Sequence, residues 1–595
     1  MNNNFLPANR REMLDRGWDR PDVVLVTGDA YVDHPSFGVA LIGRWLEAHG
    51  YKIAILAQPH HRDSTDFSQF GAPRLFFGIT GGNLDSVVAN YTANAKVRDQ
   101  DSYSPEGNPY FGGIKSRQER RRPDRAVIRY AALAREACPG VPIILGGLEA
   151  SLRRFIHYDY QQARLRASIL TDAKADLLVY GMGERAVLTI AERSADNQSL
   201  TGIPGTCERL SEKEYLQRTK TEAPLSLPSW AEITKNPAAF MEAELLIDKQ
   251  ARSMSSKPLC QKQQAMYLWQ NRPAEPLAPE ELDHLYALPF QRKPHPEAGD
   301  VPAWRMVRDS VTIVRGCSGN CAFCAITRHQ GPVVISRSAA SIVKEVEKIA
   351  GSDYFHGTIS DLGGPTANLY ATSCRIKDCR RHDCFFPELC KNLEIDEERF
   401  LTLLDLCGEI AGVKHLHISS GLRMELLLKT PRLLKRLIAK HLPGAMKIAP
   451  EHTEDAVLRL MHKPGGKLLR AFLDLCRKLA GAKPPLFVPY FIASHPGCTE
   501  RQMRDLAAKV KELGLEVRQF QDFTPTPGTI STAMYVTELD RNGNMITVAK
   551  GTTARRKQRE VLENITIKNK PAAGPQKGTK KPAGKNPGRQ KKPKR

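Results

Sequence analysis

The run Val311-Thr-Ile-Val-Arg-Gly-Cys-Ser-Gly-Asn-Cys-Ala-Phe-Cys-Ala-Ile326 joins a short β-branched stretch to three cysteines spaced Cys-x-x-x-Cys-x-x-Cys. The largely β-branched run 311–315 reads as a strand closed by a glycine, so Cys317, Cys321 and Cys324 fall on the loop at its carboxyl end. Thiolates are the ligands of iron–sulfur clusters, which ordinarily take four of them. Three thiolates from one loop leave one iron without a protein ligand, and an open coordination position is what a cofactor needs to bind the metal directly. Gly316 and Gly319 allow the tight backbone path of such a loop. The competing reading is structural zinc, but zinc sites usually want two pairs of ligands and no second pair follows at that spacing.

Outward from this loop the pattern repeats. Strand-like runs recur at 355–360, 415–419, 446–449, 486–492 and 516–523, with helical patterns between them. One helix opens on a Thr499-x-x-Gln502 capping box and carries Met503, Leu506, Val510 and Leu513 on one side. Six successive βα units predict a parallel sheet curved into a partial (βα)6 barrel over 304–567, with its chemistry at the carboxyl ends of the strands. The first 195 residues alternate in the same way. Runs at 23–26 and 53–56 flank a helical pattern at 36–49, which bears Leu41, Ile42, Trp45 and Leu46 and is ended by Gly50. Runs at 142–145 and 176–180 are each followed by glycines, Gly146-Gly147 and Gly181-Met-Gly-Glu184. This predicts a doubly wound α/β domain over 1–195 with ligands at its strand ends. Between them, 196–303 reads as an irregular connector that wraps around the barrel domain.

Residues beyond the loop carry a resemblance to a known family. Gln270-Asn-Arg-Pro-Ala-Glu-Pro-Leu, Leu288-Pro-Phe, His295-Pro, the cysteine loop through Cys324-Ala-Ile-Thr-Arg-His-Gln-Gly, and Ser336-Arg-Ser together resemble the YgiQ family of radical S-adenosylmethionine (SAM) proteins, over nearly the whole chain except its end. The resemblance implies a radical SAM barrel preceded by an N-terminal domain. It further implies a [4Fe–4S] cluster on Cys317, Cys321 and Cys324, SAM on the open iron, and a flavodoxin- or ferredoxin-type electron donor. Asp361-Leu-Gly-Gly-Pro resembles the superfamily's glycine motif, so Gly363, Gly364 and Pro365 are expected beside the methionyl amine, with proline where glutamate is commoner. Ser419, Ser420, Arg423 and Glu451 lie where superfamily enzymes place ribose and carboxylate contacts. The Pro-Gly-Thr element at 527–529 is either a superfamily element near the barrel's end or only a rigid turn.

The first domain is similar to the cobalamin-binding domains fused to many radical SAM enzymes, but its Asp33-His34-Pro-Ser-Phe-Gly38 has the histidine one place too early to supply a lower cobalt ligand. The expectation is a domain of that shape that binds no cobalamin. The resemblance names no substrate. It leaves methyl or methylthio transfer to RNA or protein as the narrower reading, by domain analogy. A non-catalytic iron–sulfur protein that binds RNA or assists assembly is the rival from another class.

A second cysteine group, Cys374, Cys379, Cys384 and Cys390, sits in a short basic insertion at 374–390. Four soft ligands suffice for zinc or an auxiliary iron–sulfur cluster; redox-active thiols and no special role are the alternatives. The remaining six of the 13 cysteines are scattered and read as small buried hydrophobes. With no secretion signal and no long apolar run, the chain is expected to be cytoplasmic, with reduced thiols and no membrane span.

The net charge of +22 is concentrated at one end: from Lys568 to Arg595 there are eleven Lys or Arg and no acid. That composition cannot offset its own ordering entropy and predicts a disordered arm at 568–595, either solvated or bound to a polyanion such as RNA. Lys115, Arg117, Arg120, Arg121, Arg122 and Arg125 form a second basic run, expected on a solvated face, with nucleic acid as the alternative.

Overall fold

The computed structural model describes residues 4–253, 256–376, 379, 381, 383–481 and 485–566. The expected arm at 568–595 lies outside them.

The first half is built on one nine-stranded sheet. Val23–Thr27 (β1) pairs in parallel with Ile53–Ala57 (β2) on one side and Phe76–Thr80 (β3) on the other; Ile143–Leu145 (β4) and Leu177–Val179 (β5) continue the parallel ladder. The order β2-β1-β3-β4-β5 is that of flavodoxin-like doubly wound sheets, whose ligands gather at the strand ends where the order reverses. All five residues of β1 are buried, as a strand covered on both faces requires. Three helices cover it: α1 (Gly38–Ala48), α2 (Ala126–Ala137) and α3 (Glu184–Ala195). Val23 and Leu25 pack with Leu41, Trp45, Leu46 and Ile190 of α1 and α3, whereas Val24 and Val26 pack with Val127, Tyr130 and Leu133 of α2. Burial of each such aliphatic side chain contributes roughly 1.5–3 kcal/mol. Gly50, at φ +89°, ends the turn after α1 as its position suggests.

The stretch 196–303 differs from the expected connector. It carries Thr206–Leu210 (β6), Leu225–Leu227 (β7), Leu259–Gln263 (β8) and Met266–Gln270 (β9), which extend the sheet beyond β5 in the order β5-β6-β9-β8-β7. Buried glutamines disguise β8 and β9 as polar sequence. Gln261 and Gln263 accept from the backbone N–H groups of Ile156 and Ser168, and Gln270 accepts from Arg154. The same stretch supplies α4 (Pro237–Ala251), whose Phe240, Met241 and Ala243 pack against Ala322, Ile530 and Met534 of the second half.

The basic run at 115–125 is also corrected in part. Lys115 and Arg117 are exposed, but Arg122 is fully buried between Asp29 and Asp101, and Arg125 is paired with Asp159. These arginines, buried with carboxylate partners, belong to the interior of the domain rather than to a solvated face.

In the second half, Ser310–Thr312 (β10) pairs in parallel with Asp361–Gly363 (β11), and the adjoining piece Thr358–Ile359 pairs with His415–Leu416 (β12). Leu422 then bridges Ile448 of Ala445–Glu451 (β13), which pairs with Leu486–Ala493 (β14), which pairs with Gln519–Asp522 (β15). The six strands follow one another in chain order around a partial barrel. The helix Glu500–Glu512 (α5) begins with the Thr499/Gln502 capping box and buries Met503, Leu506 and Val510. Among the described residues, no helix is long and apolar enough to cross a membrane.

Candidate functional site

The cysteine loop begins where the chain leaves β10. Val314 and Arg315 turn to pair antiparallel with Ile335 and Ser336, closing 316–334 into one excursion. Gly316 sits at φ +78°, and a Cβ there would lie 1.8 Å from the Val333 carbonyl oxygen, so only glycine fits. The Cys317 N–H donates to the Gly331 carbonyl at 3.2 Å and the Cys324 N–H to the Cys321 carbonyl at 3.0 Å. From the opposite side of the barrel, Ala322 donates to the Met461 carbonyl at 2.9 Å and accepts from the Ser531 N–H at 2.9 Å. Below the loop lies Asp248 of α4, which gathers Arg328 at 2.8 Å, Arg252 at 2.9 Å and Arg541 at 3.8 Å. The Asn320 amide between the first two cysteines also reaches it. Burial alone would raise the Asp248 carboxyl, but these arginines outweigh it and hold its pKa below the ordinary carboxylate value.

The three thiols are near enough to act on one another electrostatically, and burial pushes the Cys317 thiol up and the Cys324 thiol to about 12. Arg423 lies beside them: its Nη1 is 4.0 Å from Cys321 Sγ, its Nη2 donates to Glu425 at 2.9 Å, and its guanidinium stacks 3.9 Å from the centre of the Phe385 ring. Burial opposes the charge, yet Glu425 and the thiols keep Arg423 more firmly protonated than usual. A buried cation offsets the negative charge that three thiolates would carry, so the donor set fits a cluster. Among the described residues, no group of three or more His, Cys, Asp or Glu is drawn together tightly enough to hold a metal ion. A cluster takes one thiolate at each of several irons, so its ligands stand further apart than those of a single ion.

The expected SAM contacts divide into two sets. Gly363, Gly364 and Pro365 at the end of β11, with Asp361 and Ser420, line a cavity of about 690 Å³. Asp361 organises this edge: it accepts from the N–H groups of Ser419 at 2.8 Å and Ser420 at 3.0 Å, and from the Ser420 hydroxyl. The Ser419 hydroxyl is committed to the Ser360 carbonyl at 2.7 Å. Ser419, Arg423 and Glu451 are not among the cavity's walls. Glu451 instead lies behind the cysteine loop, paired with Lys463 at 3.7 Å; burial raises its carboxyl despite Lys463 and Arg423. Its φ of +65° is a strained value for glutamate, imposed where β13 breaks register.

The other walls of the cavity belong to the first half. Thr27, Thr80, Gly146-Gly147 and Gly181–Glu184 at the ends of β1, β3, β4 and β5 face the flanks of the cysteine loop, Arg315 before the cysteines and Ala325, Ile326, His329 and Gln330 after them; Cys317, Cys321 and Cys324 themselves are not among the walls. An apolar arm runs between α1 and α3 over Leu25, Phe76, Gly78 and Ile144. Arg315 locks the two halves together by donating to Glu184 at 2.6 Å and to the Tyr286 hydroxyl at 3.1 Å. His329 shares a hydrogen bond with Ser151 at 3.0 Å, and burial lowers its pKa to about 4, so it stands neutral at the cavity wall. Sequence reasoning assigned none of Asp361, Arg315 or His329 a role, although the glycine runs opposite them marked the place. His34 is fully buried with its pKa well below normal and does not line the cavity, whereas Pro35 and Ser36 do.

Comparison with known proteins agrees with this architecture. Residues 5–310 match the Radical SAM N-terminal family and residues 311–510 the Radical SAM superfamily. The chain is 44% identical over 569 residues to UPF0313 protein GSU2873 of Geobacter sulfurreducens, covering 94% of this chain and 92% of that one. It is 44% identical over 583 residues to a UPF0313 protein of Thermotoga maritima, covering 95% and 99%. Among solved structures, the radical SAM methyltransferase TsrM of Kitasatospora setae, with tryptophan and a SAM analogue bound, superposes with a TM-score of 0.50 at 14% identity, over 92% of this chain and 89% of that one. That is a likeness of fold.

Proposed function

The chain belongs to the radical SAM superfamily and, within it, to the UPF0313 family, and from that premise we propose that Cys317, Cys321 and Cys324 hold a [4Fe–4S] cluster whose open iron takes SAM. A radical SAM domain works with both. When bound and reduced by one electron from a flavodoxin- or ferredoxin-type donor, the cluster supplies the electron that splits the sulfonium of SAM into methionine and a 5′-deoxyadenosyl radical, which abstracts hydrogen from substrate.

The chain's own residues orient and exclude. The Gly364 carbonyl would accept from the methionyl amine; the Gly363 carbonyl, which already accepts from the Ile313 N–H at 2.8 Å, would offer it only its second lone pair, and Pro365 stiffens their approach. Asp361 fixes Ser420 at the same edge through the bonds described above. Arg423 balances the thiolates, and Glu451 with Lys463 closes the rear of the loop against water. The observation that carries this reading is the single cavity onto which the flanks of the cysteine loop, the Gly363–Gly364 edge and the strand ends of the first half all open. Substrate enters from the side of the first half, against its apolar arm.

Methyl or methylthio transfer to RNA or protein is the narrower form of the proposal; TsrM, a methyltransferase, shares the fold. The first half acts here without cobalamin, and incubation with hydroxocobalamin followed by desalting should leave the protein free of cobalt. The proposal as a whole is tested by adding SAM to the anaerobically reconstituted, reduced chain and recording the electron paramagnetic resonance of the cluster. SAM on the open iron changes that spectrum. A spectrum indifferent to SAM favours a structural cluster in a non-catalytic protein.

A further inference from the structure

The ends of the insertion at 374–390 are joined by a short ladder in which Thr372, Ser373 and Cys374 pair antiparallel with Ile395, Glu394 and Leu393. The ladder sets Cys374 directly across from Leu393. Leu393 donates to the Cys390 carbonyl at 3.1 Å, and Cys390 donates to the Cys384 carbonyl at 2.8 Å. Two consecutive backbone turns therefore fold the far limb of the insertion back toward Cys374. The insertion is also fastened to the barrel. Asp383 pairs with His462 at 2.7 Å, and the Phe386 ring stacks on the His462 ring at 3.9 Å. Cys374, Cys379 and Cys390 all lie within electrostatic range of the Cys384 thiol, the same relation that links the three cysteines of the loop.

From this convergence we propose that Cys374, Cys379, Cys384 and Cys390 ligate a second iron–sulfur cluster, separate from the one that takes SAM. Four thiolates complete the coordination of a [2Fe–2S] or [4Fe–4S] cluster, so no iron is left open and SAM has no place on it. All four donors are cysteine thiols, the usual ligands of iron–sulfur clusters. The two groups are neighbours. The Cys384 N–H donates to the carbonyl of Ser318, next to Cys317, at 3.0 Å, and Phe385 lies under the Arg423 guanidinium that reaches Cys321. Cys374 is exposed while Cys384 is buried, so the group runs from the surface inward to the wall of the cysteine loop.

The test uses the full chain, reconstituted anaerobically with iron and sulfide. With Cys317, Cys321 and Cys324 all changed to Ala, the protein should retain about a third to a half of the wild-type iron and sulfide, according to whether two or four irons remain. It should also give an electron paramagnetic resonance signal on reduction that SAM does not alter. With Cys374, Cys379, Cys384 and Cys390 all changed to Ala, iron should fall by the complementary share, and SAM cleavage driven by dithionite should persist. No iron in the first variant, zinc in place of iron there, or full wild-type iron in the second overturns the proposal. Should one variant fail to fold, the other decides alone. Loss of SAM cleavage in the wild type would count against the proposed function and leave this metal count standing.

Discussion

The two cysteine groups sit side by side but are held differently. The loop at 317–324 is fixed from every direction: Gly316 against Val333 at its start, Met461 and Ser531 from across the barrel, and Asp248 from below. The insertion is held by a three-residue ladder, a histidine anchor and the contacts of Cys384 and Phe385 with the loop side, and its first cysteine is exposed. A group with three ligands must be placed with respect to a second molecule, because its open iron has to meet SAM and substrate in one geometry. A group with four needs only to close on its own metal. The supporting contacts are distributed accordingly.

The comparison breaks most sharply at the loop. Changing any one of Cys317, Cys321 or Cys324 to Ala should abolish SAM cleavage and remove the corresponding brown absorbance while the protein stays soluble; full cleavage by these variants would refute the assignment. The next effect concerns the support beneath. Asp248→Ala removes the buried carboxylate that pairs with Arg328, a change that costs about 3–5 kcal/mol when one partner of a buried pair is removed. Thermal melting should show it as a marked drop in Tm, with reduced iron content after reconstitution. An unchanged Tm would mean that the loop does not depend on α4. Gly316→Ala meets the Val333 backbone and a left-handed φ together, and strain of that kind costs about 1–3 kcal/mol. It should lower iron occupancy at the loop while the iron on the insertion stays constant. A uniform loss from both sites would argue that the two are one structural unit. The smallest effect is expected at the end of the chain. Truncation before Lys568 should leave Tm and SAM cleavage unchanged, because eleven basic residues among Pro and Gly offer nothing to a core, and only binding to polyanions should weaken.

Much of this was legible in the sequence, for physical reasons that can be named. β1 and the helix after it announced themselves because a strand covered on both faces must be apolar at every position and an amphipathic helix at every third or fourth. The cysteine loop was legible because its chemistry is carried by residue type and spacing. Strands β8 and β9 were hidden because Gln261, Gln263 and Gln270 point inward and hydrogen-bond to backbone and arginine, so the pattern of polarity ran against the pattern of burial. Arg122 misled in the same way, as a buried ion pair reads like a surface charge until its partners Asp29 and Asp101 are seen beside it. At the site, Gly363 and Gly364 could be read from their motif. Asp361 and His329 act only through partners 58 or 59 and 178 residues away, a relation that no local pattern contains.

The central claim is that this chain cleaves SAM reductively at the loop 317–324. The most direct measurement is the 5′-deoxyadenosine formed from SAM by the anaerobically reconstituted full chain under dithionite, set beside the Cys321→Ala variant prepared in the same way. The account predicts 5′-deoxyadenosine and methionine in equal amounts from the wild type and none from the variant. A wild-type protein with a full complement of iron and sulfide that leaves SAM intact would contradict it.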